Sequence, residues 1–119
     1  MSDFAVSVLQ ADAEIVWLSL SGEFDLCAVE SASRAFAEAE ALSPESILVD
    51  LSALSFMDSS GLHWIVEAHE SAERRGSRVS LVAAPPTVQR IFEITGVEKH
   101  LVFVPRPSSA PVSWAHDGG

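Results

Sequence analysis

The chain reads as one α/β domain: a mixed, largely parallel sheet packed by helices, in the order β-β-α-β-α-β-α-β. Three observations predict it. Short apolar runs alternate with segments of helical period. Gly, Pro or Asp stands at most of the junctions. At 119 residues and 48% apolar content, the chain is long enough to bury one core.

Residues 4–9 alternate in part, with Phe4, Val6 and Val8 on one side, and read as an edge strand. Asp12 and Ala13 suit a turn. Residues 14–20 read as a second, better buried strand hairpinned to the first. Ser21 to Asp25 then breaks the pattern. Residues 26–41 are rich in Ala and Glu, with Val29, Ala32, Ser33 and Phe36 at helical spacing and Asp25 as N-cap. Ser43-Pro44 ends that helix. Residues 46–51 form a continuous apolar run of the kind buried on both faces of a sheet.

A second helix spans residues 58–75, with Leu62, Ile65, Val66, Ala68 and Ala72 as its inward positions. Asp58 is its N-cap, and Gly76 its left-handed terminator after Arg74 and Arg75. Residues 79–83 are another buried strand. Pro85-Pro86-Thr87 opens a short helix with Val88, Ile91 and Phe92 inward, and Gly96 stops it. Residues 101–104 are the last strand. From Pro105 onward Pro, Ser and Gly dominate, so the domain is taken as 1–104 and 105–119 as a mostly disordered tail.

Net charge narrows the function. At −10 the surface repels phosphate backbones, which argues against direct nucleic-acid binding. No apolar run approaches the roughly 20 residues of a membrane helix, and the N-terminus lacks a signal-peptide pattern. A cytoplasmic protein without membrane association is expected. The single cysteine, Cys27, allows no internal disulfide and is read as a small apolar filler.

The chemistry concentrates at Asp58-Ser59-Ser60-Gly61, where a strand gives way to a helix. Helix starts expose unpaired N–H groups and a partial positive charge. A serine there can cap the helix, attack a carbonyl or carry a phosphate. The nucleophile reading lacks support. An esterase elbow needs Gly two residues before and after the serine, and neither Ser59 nor Ser60 has both. The histidine nearest to them, His63, is read as not facing either serine, so no general base is in place. His63, Glu67 and Glu70 share a helical face, but no His-Glu-x-x-His pattern exists, and the face is read as solvated. No phosphate-cradling glycine loop occurs. No catalytic residue, metal or cofactor is therefore expected.

Capping accounts for one residue of the Asp-Ser-Ser run, leaving a modified or contacted serine as the other reading. Gly61 costs about 1 kcal/mol against Ala inside a helix and would let another protein approach the backbone. Trp64 falls about 200° round the helix from Leu62. There it either anchors a partner or is covered by a neighbouring loop.

The run from Asp50 to Leu62, with its Asp58-Ser59-Ser60-Gly61-Leu62 core, resembles the phosphorylation motif of STAS-domain anti-sigma factor antagonists of bacteria. Gly22-Glu23-Phe24-Asp25 resembles that family's Gly-Glu-hydrophobic-Asp. Pro86 to Phe92 resembles its Pro-x-Val-x-Arg-hydrophobic-Phe helix, and Gly96-Val97 the pair that ends it. The likeness covers about residues 4–104. It implies a STAS-like fold and a regulatory module rather than an enzyme. It points to Ser59 as the phosphorylated residue, with Ser60 a minor candidate. Asp25, Asp58, Ser60, Gly61, His63 and Trp64 become the partner-binding set. The implied partners are a GHKL-type anti-sigma factor serine kinase, which binds the unphosphorylated form, and a PP2C-type phosphatase. Another partner-switching or stressosome pathway is the alternative. The chain departs from the pattern at His63, where the family usually has a second Gly. It also lacks a helical period after residue 105, where the family often closes with a helix. Oligomeric state is left open.

Overall fold

A computed structural model describes residues 3–107. Five strands are hydrogen-bonded in sequence order: β1 Ala5–Gln10, β2 Ile15–Phe24, β3 Ser46–Met57, β4 Arg78–Val82 and β5 Phe103–Val104. β1 pairs antiparallel with β2, and every later pair is parallel. The turn of the β1–β2 hairpin is held by Asp12 Oδ1, which accepts from the N–H groups of Glu14 (2.7 Å) and Ile15 (2.9 Å). The helices are α1 Val29–Ala41, α2 Ser59–Arg74 and α3 Pro86–Thr95.

Strand order that advances in one direction, with right-handed crossovers, puts every crossover helix on the same face. The core agrees. One buried cluster takes Val16, Leu18, Ile47, Val49, Val79 and Leu81 from the sheet. It takes Phe36 from α1, Ile65 from α2 and Phe92 from α3. The opposite face carries a small separate cluster of Trp17, Leu48 and Val82. β3 is buried without a break from Ile47 to Leu51, as expected of a central parallel strand.

After β5 the chain turns across that second face. Arg106 Nε lies 3.4 Å from Asp50 Oδ2. Asp50 is 2% exposed, and its Oδ1 also accepts from the N–H (2.9 Å) and Oγ–H (2.6 Å) of Ser52. Pro107 lines a groove with Ile15, Trp17 and Leu48. Residues 106 and 107, at the start of the expected tail, thus lie against this face. The remainder of the expected tail lies outside the described residues.

Two strands run further than their sequence pattern suggests. β2 continues to Phe24 and β3 to Met57, still paired. The register slips between Ser19 and Ser21 and again between Gly22 and Glu23. Gly22 has φ +84°, and a Cβ there would collide with the Asp3 carbonyl, so only glycine fits this bulge. In the extension Leu54 and Met57 are buried while Ser52, Ala53, Ser55 and Phe56 are exposed. Burial at every third residue hides the strand from an alternation rule.

Further departures are local. A 3-10 turn, Leu26–Ala28, precedes α1, and Asp25 makes no side-chain capping bond to it. Cys27 is exposed, not a core filler, because Ala28 takes the inward position of that turn. A second 3-10 turn, Val97–His100, follows α3. Gly76 and Gly96 take the positive φ expected of helix terminators. Among the described residues no helix is long and apolar enough to cross a membrane.

Candidate functional site

The C-terminal ends of β2 and β3 and the start of α2 meet at one edge of the sheet. Glu23 pairs with Phe56 and Phe24 with Met57. Asp58 N–H then donates to the Phe24 carbonyl at 3.3 Å, closing the strand-to-helix turn. Asp58 is the N-cap in extended conformation. Its Oδ1 accepts from Ser60 N–H (2.9 Å) and Gly61 N–H (3.3 Å), so the expected cap is present.

With capping assigned to Asp58, the two serines are released from that duty. Ser59 is the first residue of α2 and is exposed; Ser60 is half-buried. Among the described residues Ser59 Oγ makes no hydrogen bond. A shallow concavity of about 530 Å³ lies beside it, lined by Ser59, Ser60, Leu62, His63, Val66 and Val97.

That lining corrects the expectation that the serines do not face His63. His63 is four residues from Ser59 and three from Ser60, and one helical turn brings all three to one side. His63 is exposed, with Nε2 3.6 Å from Glu67 Oε1. Among the described residues no group of three or more His, Cys, Asp or Glu side chains is arranged to hold a metal ion.

Asp25 stands at the same edge, immediately after β2. Its Oδ1 is buried without a hydrogen-bond partner. Two apolar side chains that the sequence reading missed flank the edge. Leu26 is 72% exposed and Phe56 48% exposed. Nothing in their types or spacing separates them from core residues. Their exposure follows from the 3-10 turn and from the three-residue burial period of β3.

Two members of the expected partner-binding set are not at the surface. Gly61 is buried, and a Cβ on it would lie 2.7 Å from Met57 Cγ and 2.8 Å from the Phe24 carbonyl oxygen. The close backbone approach it permits is made by its own chain, not by a partner. Trp64 is 6% exposed. Its ring meets Phe24 and Phe36 edge-on, at centroid distances of 5.5 and 5.7 Å, and Nε1 donates to Ser33 Oγ at 3.0 Å. α1 covers the flank of α2 that helical spacing alone marks as outward.

Comparisons with known proteins accord with this geometry. The chain is 26% identical over 95 residues to the anti-sigma-B factor antagonist of Listeria monocytogenes, covering 80% of this chain and 83% of that one. The crystal structure of an anti-sigma factor antagonist from Mycobacterium paratuberculosis superposes with TM-score 0.77 at 25% identity, over 98% of this chain and 93% of the other. The Bacillus cell-fate determinant SpoIIAA, solved in its phosphorylated form, superposes with TM-score 0.65 at 26% identity, over 96% and 98%. The family model described as the STAS domain matches residues 7–110. With the Asp-Ser-Ser-Gly turn at the sheet edge and a match across most of its length, this chain belongs to the STAS-domain family.

Proposed function

We propose that this protein is an anti-sigma factor antagonist controlled by phosphorylation of Ser59. Unphosphorylated, it binds an anti-sigma factor that is also a GHKL-type serine kinase, and so frees a sigma factor. The kinase phosphorylates Ser59 and lets go, and a PP2C-type phosphatase restores the hydroxyl. The protein is the kinase's substrate, not an enzyme, and acts in the cytoplasm. The observation that carries this reading is an exposed, unbonded Ser59 hydroxyl at the start of a helix capped by its neighbour Asp58. The antagonist names of its relatives and the phosphorylated form of SpoIIAA support it.

The switch follows from charge. A phosphate adds about −1.5 to −2 charges at neutral pH. In the first turn of α2 it meets the positive end of the helix, so α2 tolerates it. The partner does not. Asp58 and Asp25 already make this edge negative, and Leu26 and Phe56 suit an interface that excludes water. A phosphate enclosed there is a desolvated charge for which the partner, fitted to a hydroxyl, supplies no counter-charge. Coupling of this kind is about 1–3 kcal/mol, or about 5–150-fold in affinity.

Ser59→Asp weakens binding to the cognate kinase, whereas Ser59→Ala binds like the wild type and gains no phosphate on incubation with kinase and ATP. Equal affinity of the two variants overturns the mechanism. A phosphate found on Ser60 alone moves the site by one residue.

A further inference from the structure

We propose that His63 is the counter-charge for the phosphate on Ser59 and lowers the charge that the mark presents to a partner. The inference rests on Ser59 being the modified residue. Helical side chains lean toward the N-terminus, so His63 reaches back over the turn that holds Ser59. Both line the same concavity, together with the apolar Leu62, Val66 and Val97. Glu67, one turn further, leans back in the same way and places Oε1 3.6 Å from His63 Nε2. Ser59, His63 and Glu67 thus form a single stripe along α2. The imidazole sits between a carboxylate and the position of the phosphate.

The neighbouring charges favour this pairing. Glu67 faces the ring from one side, and Asp58, beside Ser59, adds to the negative field on the other. Lys99 and His100 follow Val97 in the 3-10 turn. The ring has two nitrogens, so Nε2 toward Glu67 leaves Nδ1 for a phosphate oxygen. An ordinary imidazole titrates near neutrality, in the same range as the second ionisation of a phosphoserine. The two groups then titrate as a coupled pair, the imidazolium stabilising the dianion and the dianion the imidazolium. A glycine at position 63 provides none of this.

The experiment installs phosphoserine at position 59 during translation, so it needs no kinase. The second ionisation of the phosphate is followed by 31P NMR against pH. In the wild-type sequence its midpoint falls about half a pH unit below that of the His63→Gln variant. A His63→Lys variant, carrying a fixed positive charge, keeps the low midpoint. Raising the salt concentration shrinks the difference. Identical midpoints in wild type and His63→Gln overturn the proposal. Failure of Ser59 as a kinase substrate shows separately, in the kinase assay, and leaves this measurement intact.

Discussion

Trp64 of α2 donates its indole N–H to Ser33 Oγ of α1 across 3.0 Å, joining the two helices that flank the Asp-Ser-Ser turn. The same ring packs edge-on against Phe24, which ends β2. One side chain thus couples both helices to the strand end beneath Ser59. Trp64→Phe keeps most of the apolar contact and loses the hydrogen bond, at a cost of about 1 kcal/mol. Trp64→Ala opens a cavity and costs about 3–5 kcal/mol. Urea unfolding followed by circular dichroism measures both. Near-equal stabilities of the two variants would contradict the packing role.

Gly61 sets two effects against each other. Alanine gains about 1 kcal/mol in helix propensity. Its Cβ, however, meets a backbone oxygen of Phe24 at 2.8 Å, and backbone gives way poorly. Overpacking of this kind costs about 1–3 kcal/mol. Gly61→Ala is therefore destabilised on balance, by about 1 kcal/mol. An increase in its melting temperature would show that the turn can open.

The contrast between Gly61 and Asp58 shows how far the sequence carries. Asp58 is legible as a cap because a cap is a local event, decided by a few bonds within four residues. The terminators Gly76 and Gly96 are legible for the same reason, and so is the continuous burial of residues 47–51. The order of elements follows from these. What escapes is set by distant chain. α1 buries Trp64 from a side that helical spacing marks as open. The bulges near Gly22 carry β2 and β3 on to Phe24 and Met57. Leu26 and Phe56 are exposed because of that irregular backbone. The His63 face is the exception: its i,i+4 relation to Ser59 is in the spacing and was open to reading.

Arg106 and Asp50 give a third prediction. Asp50 is almost wholly enclosed, and Arg106 is about half exposed. Arg106→Ala leaves a buried carboxylate supported, among the described residues, by Ser52 alone and costs about 1–2 kcal/mol, less than for a fully buried pair. Asp50→Asn keeps the shape without the charge and is the milder change. Thermal unfolding of both variants checks the order. If Arg106→Ala is neutral, the strap over the sheet contributes nothing to stability.

Glu14 predicts a pH effect at the other end of the sheet. The Glu45 carboxylate beside it raises its titration above the usual carboxylate range, and Asp12 adds a little. The two come together because the Glu14 carbonyl accepts from Glu45 N–H at 2.8 Å. The folded state therefore holds this proton more tightly than the unfolded chain. Stability falls as pH rises from the ordinary glutamate range through the raised value. Glu45→Gln removes the repulsion. Its melting temperature exceeds that of the wild type at neutral pH, and the gap closes once both carboxyls are protonated. A gap independent of pH would assign the effect elsewhere.

The sequential strand order bears on how the molecule comes into being. Each new strand joins the outer edge of what has already assembled, and none has to be threaded between two partners that arrived earlier. A sheet of this design can grow by accretion as the polypeptide leaves the ribosome, each parallel strand arriving after the helix that precedes it. The Ser59 turn is complete once α2 settles on the first three strands, before α3 and the last strand exist.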